Sequence, residues 1–413
     1  MNIILHRQCP VCGATEARLI SSQHFLLPEK HPLPSSFDVV VCDVCTFAFA
    51  DTPASQETYD YYYTDFSKYE DDATSTGGGG TPSDWKRLEK TASLLASYIS
   101  KNTPILDMGC ANVGLLKAFQ QLGFEDLTGV DPSPACAAST ARLGCRGVAG
   151  SLFAPPVPTG HYGLVILCHV LEHICNIEKA SSVLTNLVKP GGLLYVEVPD
   201  ASRYEGYSSA PFQDFNVEHI NHFSHAALVN LFRLKGFVPV SEGTGDLEFD
   251  AGWTYPAMWN LFRLDPDAPV PEDWVRDPKL GEALESYTVA SEKLLSGVES
   301  RIKDLAENQT PIIVWGVGQL TLKLLAQSSL GRCNIVAFTD GSPGQHGKTI
   351  KGLKVLSPAD LADLPAHPIL IGSLLHHEAI AARIRDDLKL SNPVITLESG
   401  FQGVAANQHR IRP

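Results

Sequence analysis

Two pairs of cysteines near the start of the chain constrain its fold more than any other feature: Cys9 and Cys12 in CPVCG, then Cys42 and Cys45 in CDVC. Two residues between thiols let one tight turn present both sulfurs to a single ion. Two such turns complete a tetrahedral all-sulfur shell for zinc. Four sulfurs leave no position open for a reactant, so the expected site is structural. Reactive dithiols or disulfides are the competing reading. No secretory leader is expected here, and the other six cysteines, Cys110, Cys136, Cys145, Cys168, Cys175 and Cys333, fall in apolar segments as reduced core thiols do. Structural zinc is therefore the expectation.

The chain has 413 residues, more than one hydrophobic core usually supports, which predicts two or three domains. A net charge of −14 opposes binding to a phosphate backbone, so no nucleic-acid partner is expected. Apolar runs such as LVILCHVL fall short of the roughly 20 residues a membrane helix needs, and a cytoplasmic protein without a membrane partner is expected. Nothing in the set of domains demands a second chain for folding.

Three blocks follow along the sequence. Residues 1–75 hold the cysteine pairs, the runs FDVVVC and CTFAFA, and an aromatic, acidic stretch, YDYYYTDFSKYEDD. TSTGGGGTPS then reads as a linker or mobile loop. Across 81–245, PILDMG, DLTGVDP, GLVILC and LLYVEVPD alternate with helical patterns, the rhythm of a doubly wound, largely parallel sheet. The block 246–413 opens with a Trp- and Pro-bearing pause, DAGWTYPAMWN to PVPEDW. A helix in SYTVASEKLLSGVESRIKDLAE follows, then a second βαβ series beginning PIIVWGVGQLTLKLLAQ. The overall class is α/β.

At ILDMGCANVG, glycines lie where a strand turns into a helix. Asp107, Gly109, Cys110 and Gly114 occupy this turn, and the helix start offers free N–H groups to a carboxylate or phosphate. About twenty residues on, Asp131 ends the next strand in GVDPS, where a carboxylate suits paired ribose hydroxyls. An adenosine-type cofactor fits this spacing, and a nicotinamide enzyme fits it as well.

These segments resemble the class I S-adenosylmethionine-dependent methyltransferases, and GHYGLVILCHVLEHI and VKPGGLLYVEVPD are similar to that fold's fourth and fifth strands. The resemblance implies that Asp107, Gly109 and Gly114 line the methionine end of S-adenosylmethionine, with Cys110 beside them. It implies that Asp131 holds the ribose, that Ser151 and Leu152 flank the adenine, and that Cys168 and His169 face the sulfonium. Cys110 and Cys168 also suit the role of small buried spacers. His173 also suits the role of a helix cap.

The whole layout resembles the nucleotide-sugar C-methyltransferases. Members combine a four-cysteine zinc domain, a class I methyltransferase domain with a Rossmann-like sheet, and a second Rossmann-like domain at the C-terminus. The sharpest shared motif is FNVEHINHFS, which keeps Glu218, His219, Phe223 and Ser224 but has Asn216 where the family carries Tyr. A Glu-His pair suits proton abstraction beside a ketone, because an imidazole titrates near neutrality and a carboxylate can orient it. His219 is the expected base, Glu218 its partner, and His222 a second candidate three residues on if the segment is helical. Asn216 opens the alternatives of another carbonyl substrate or transfer to oxygen or nitrogen. Tyr69 and Tyr63, from the cluster Tyr59, Tyr61, Tyr62, Tyr63 and Tyr69, are replacement candidates, although such clusters commonly pack against other elements.

In the last block Gly316 and Gly318 form a GxG turn without the third glycine of a dinucleotide fingerprint, and Asp340 ends the next strand. The resemblance implies that this domain helps bind a nucleotide-linked sugar, with Lys323 near the family's lysine position. A degenerate domain that only packs against the core is the competing reading. A zinc-bearing scaffold that binds cofactor without turnover is the non-enzymatic alternative for the chain.

Overall fold

The computed structural model describes residues 2–65, 81–248, 254–269 and 271–397. The TSTGGGGTPS linker lies largely outside them, and Tyr69 entirely so. The chain divides into two compact units. The first comprises Met1–Leu19, Val40–Arg203 and Glu218–Ala283, the second Ile20–Val39, Tyr204–Val217 and Leu284–Pro413.

The first unit is organised by a seven-stranded sheet. Its strands are β1 (Ile105–Met108), β2 (Leu127–Asp131), β3 (Arg146–Ala149), β4 (Tyr162–Cys168), β5 (Val188–Pro199), β6 (Phe237–Glu248) and β7 (Thr254–Leu264). Their spatial order is β6-β7-β5-β4-β1-β2-β3. The five strands from β5 to β3 run parallel, and β7 is antiparallel to both of its neighbours. Alternate side chains leave each strand on opposite faces. Ile105, Leu164, Ile166 and Leu193 therefore join the Leu88, Leu95, Leu115 and Phe119 cluster, while Leu106, Val165, Leu167 and Val196 join Leu184, Leu228 and Phe232 on the other side. Both faces are covered by helices, which explains why these strands read as continuous apolar runs.

β7 differs from the sequence reading, which takes DAGWTYPAMWN as a pause. Pro256 and the Trp residues mask a strand whose residues Pro256–Met258 and Asn260–Phe262 are buried. Proline is tolerated because it lies near the strand's start, where its carbonyl accepts a hydrogen bond from Asp200 N (3.0 Å). The expected parallel strands and their crossover helices are all present.

Within the same unit, each cysteine pair occupies a tight turn. Gly13 N donates to Cys9 O (2.8 Å) and Thr46 N to Cys42 O (2.9 Å), and both turns close on a left-handed residue, Gly13 (φ 77°) and Thr46 (φ 61°). Ala48–Asp51 runs on from the second turn and pairs antiparallel with Asn221–His222. The segment of His219 and His222, whose three-residue spacing would align them only in a helix, is thus a loop ending in a short strand.

The second unit holds a six-stranded sheet: β8 (Ile312–Trp315), β9 (Ile335–Thr339), β10 (Thr349–Ile350), β11 (Leu353–Leu356), β12 (Ile369–Ile371) and β13 (Val394–Thr396), in the order β10-β11-β9-β8-β12-β13. All neighbours are parallel except the β10–β11 hairpin. Among the described residues, no helix is long and apolar enough to cross a membrane.

Candidate active site

The C-terminal ends of β1 to β4 lie along one edge of the first sheet, because these strands are parallel neighbours. Asp107 is the third of the four residues of β1, Asp131 closes β2, Ser151 and Leu152 follow β3, and Cys168 and His169 close and follow β4. The turn after β1 is unusual in conformation. Gly109, Ala111 and Val113 all have positive φ, at 80°, 42° and 61°. A β-branched residue such as Val113 pays for that conformation, and strain of this kind collects at functional loops. Val113 caps the Gly114–Gln121 helix without a side-chain hydrogen bond, so among the described residues the cap does not occupy the first-turn amides, which suit a ligand. Asp131 braces the turn from the next strand: Oδ2 accepts from Ala111 N and Oδ1 from Ser133 N, each at 2.9 Å.

Asp107 is almost fully buried, and burial, with the Asp131 charge adding to it, pushes its carboxyl up to about 7. Burial raises Asp131 as well, against the two amide bonds. Cys110 is buried with its sulfur 3.4 Å from Thr140 Oγ1, and burial holds its thiol up. Burial does the same for Cys168, with the Glu197 and Asp107 charges adding to it. Ser151 is exposed, its hydroxyl accepting from Phe153 N (3.2 Å), and Leu152 is buried.

An acid–base cluster stands just beyond the end of β4. Tyr62 Oη donates to Glu218 Oε1 (2.6 Å). Tyr63 Oη lies 2.9 Å from His173 Nδ1, which also donates to the Glu218 carbonyl (3.2 Å). The His173 and His219 rings meet edge to face with centroids 4.9 Å apart. Tyr62 and Tyr63 come from the Gln56–Asp65 helix, and His173 from the short turn Leu171–His173. Asn221 pins that turn by donating to Leu171 O (2.8 Å) and Ile174 O (2.7 Å).

His169 joins this cluster to the sheet edge. Its Nδ1 lies 3.2 Å from Glu172 Oε1 and its Nε2 3.3 Å from Glu197 Oε1. Burial opposes its charge, but the two carboxylates outweigh burial and raise it to about 9. Glu197 also accepts from Tyr195 Oη (2.8 Å) and faces Arg87 at 3.5 Å. Burial alone would raise Glu197, yet His169 and Arg87 hold it low. Sequence reasoning did not single out Glu172, Glu197 and Arg87. The signal was a carboxylate interrupting each of two apolar runs, HVLEHI and LLYVEVPD, since buried charge persists only when paired. His222 is fully buried in its short strand, and burial lowers its imidazole to about 3.

A family model described as a methyltransferase domain matches residues 84–242. The chain contains a methyltransferase domain. A second model, described as C2185-like, N-terminal, matches residues 308–395. No curated protein matches the chain. Among solved structures, an S-adenosylmethionine-dependent methyltransferase from Methanosarcina mazei is 14% identical, with 42% of this chain and 97% of that one covered at a TM-score of 0.36. A Pyrococcus horikoshii protein is 18% identical, with 50% and 99% covered at 0.37. A Mesorhizobium loti S-adenosylmethionine-dependent methyltransferase is 13% identical, with 45% and 100% covered at 0.34. At these scores the order of the seven strands, and not the likeness, establishes the fold.

The methyltransferase domain fits S-adenosylmethionine through its own chemistry. Among the described residues the helix start has no side-chain cap, which suits the cofactor's carboxylate, no cation adds to the forces on the buried Asp107, which suits the cofactor's positive groups, and Asp131 keeps lone pairs for ribose hydroxyls. Asp107 makes this fit testable. Its pKa is raised by folding, so its stabilising contribution is complete at acid pH and is lost as pH rises through about 7. A cationic ligand reverses that loss. The thermal stabilisation given by S-adenosylmethionine is expected to grow from pH 6 to pH 8, and to lose this dependence in Asp107→Asn. A second expectation concerns Gly109: a Cβ there would stand 2.7 Å from Val170 Cγ2 on a backbone at φ +80°. Gly109→Ala should cost roughly 1–3 kcal/mol and weaken cofactor binding, measured by thermal unfolding and calorimetric titration.

Elsewhere in the first unit the four cysteine sulfurs gather within 4.8 Å of one another. Cys9 and Cys45 are 3.5 Å apart, Cys12 and Cys42 3.4 Å, and all four are free thiols. This is the donor set of a structural zinc site.

In the second unit, the turn after β8 repeats the device seen after β1. Gly316 has φ 96°, Val317 N donates to Asp340 Oδ2, and Ser342 N to Asp340 Oδ1, both at 2.8 Å. Gly318 caps the Gln319–Gln327 helix without a side chain. Lys323 turns away from this loop. Its ammonium donates to Gln23 and to Phe215 O (3.3 Å) between the Phe25 and Phe212 rings, and burial lowers it to about 7. The Asn216 amide is used locally, donating to Gln213 O (2.9 Å).

Proposed function

We propose that this methyltransferase transfers a methyl group to carbon of a nucleotide-linked keto-deoxysugar through an enolate, in the cytoplasm. The observation that carries the reading is the cluster in which Tyr62 meets Glu218 at 2.6 Å while His173, held beside Tyr63, meets His219. Transfer to an already nucleophilic oxygen or nitrogen requires fewer acid–base groups than transfer to carbon, where a C–H proton must first be removed.

In this reading S-adenosylmethionine, held by Asp107, the Gly109–Gly114 turn and Asp131, supplies an electrophilic methyl group when bound. His219 takes the proton from carbon beside the acceptor's carbonyl. Glu218, fixed by Tyr62, orients the acceptor, and His173 supports the His219 ring. Tyr62 and Tyr63 supply phenols where Asn216 does not. The paired device at Asp340 and Gly316 supports nucleotide binding by the second unit, with Gly318 at the helix start. The four cysteines hold zinc as a structural ion. Transfer to oxygen or nitrogen of another metabolite is the second reading, favoured by Asn216.

Deuterium exchange tests the enolate. Nucleotide-linked 4-keto-6-deoxysugars incubated with the protein in heavy water without S-adenosylmethionine should gain deuterium beside the carbonyl, and His219→Ala should abolish the gain. Methylated product formed without any such exchange would favour the second reading.

A further inference from the structure

Glu172, His173 and His219 do more than share the end of β4. One ligand atom from each lies within 4.8 Å of the other two. Two imidazoles and a carboxylate form a donor set suited to divalent transition metals with positions left open. His173 is already oriented for such a role. Its Nδ1 donates to the Glu218 carbonyl, which can only accept, so Nε2 keeps its lone pair, 3.9 Å from Glu172 Oε1. Metal-ligating histidines characteristically use the other ring nitrogen in this way.

Glu172 supplies an independent sign. Its side chain is 1% exposed, Oε1 is shared with His169, and Oε2 is buried with no hydrogen-bond partner among the described residues. A buried carboxylate oxygen left without a partner is costly, and a cation would relieve that cost. Backbone bonding from Ile220 N to Glu172 O (2.8 Å) ties the two ligand-bearing segments together. Ligands about 2.1 Å from one ion lie roughly 3–3.4 Å apart, so side-chain rotation of about an ångström closes the set.

We propose that Glu172, His173 and His219 bind a divalent transition-metal ion that competes with proton abstraction for the His219 lone pair. The ion then acts as a reversible inhibitor. The competition rests on the proposed function, whereas the binding does not.

The test uses full-length protein whose cysteine site is already filled with zinc, titrated with Co2+. The expected result is one further equivalent with visible bands of a nitrogen and oxygen set, lacking thiolate charge transfer. Affinity should fall at least about 10-fold in Glu172→Gln and in His173→Gln. No further equivalent, or an affinity unchanged from wild type in both variants, overturns the site. Should the variants not fold, pulsed electron resonance of Cu2+ in the wild type decides: two imidazole nitrogens support the site, and one or none overturns it. In protein shown to methylate an acceptor, Co2+ should inhibit, and a chelator that spares the zinc should restore turnover. Inhibition absent at saturating Co2+ overturns the competition, while Co2+ binding in a protein that methylates no acceptor and exchanges no sugar proton overturns the proposed function and leaves the metal site standing.

Discussion

Replacing His219 with alanine is expected to lower methyl transfer by about 10²- to 10⁴-fold, the span attributed to a positioned general base. S-adenosylmethionine affinity should stay unchanged, because the cofactor loop and its Asp131 brace are built from other residues. Glu218→Gln should cost less, roughly 10- to 100-fold, since the amide oxygen still accepts from Tyr62 but no longer carries charge. The loss in His219→Ala should appear in kcat and in the pH profile alike. A variant with full turnover would remove His219 from the chemistry and leave His173, its edge-to-face neighbour, as the candidate base.

The second large effect lies at the cysteines. Cys42→Ser should release one equivalent of zinc and lower the thermal midpoint of the first unit by roughly 10 °C or more. Structural zinc contributes about 10–16 kcal/mol in small metal-organised peptides, and 1 kcal/mol moves the midpoint of a 150–250-residue domain by about 2–4 °C. The effect should spread beyond the two turns, because Cys9, Cys42 and Cys45 pack in the same apolar cluster as Phe47, Phe49, Val196 and Phe232. Metal analysis and calorimetry of the variant check both parts. Zinc-free wild-type protein with an unchanged midpoint would return the cysteines to the dithiol reading.

The parallel strands were legible because burial on both faces makes each a continuous apolar run, as in LVILC and LLYVEV. Legibility stopped at β7, where Pro256 and two Trp residues resemble a break and only pairing with β5 and β6 reveals a strand. The cysteine turns and the place of Asp131 at a strand end followed from local spacing, which turns and strand ends obey, whereas its bracing bonds to Ala111 and Ser133 show only in the structure. The acid–base cluster did not, because it joins Tyr62, Glu172 and Glu218 across more than a hundred residues of chain. His222 shows the converse: a helical spacing rule had no purchase on a segment that pairs with Ala48–Asp51 as a strand. Lys323 lies near the second glycine turn in sequence, in a segment that departs from the family's pattern, and its ammonium packs between Phe25 and Phe212.

The central claim is methyl transfer to carbon, and mass spectrometry with NMR of the product tests it most directly. Purified protein is incubated with S-adenosylmethionine and a panel of nucleotide-linked 4-keto-6-deoxysugars, beside His219→Ala. The account predicts a sugar heavier by one methylene, a new carbon–carbon bond in its NMR spectrum, and no product from the variant. A methyl group found on oxygen or nitrogen, or cofactor binding without product across the panel, would contradict it.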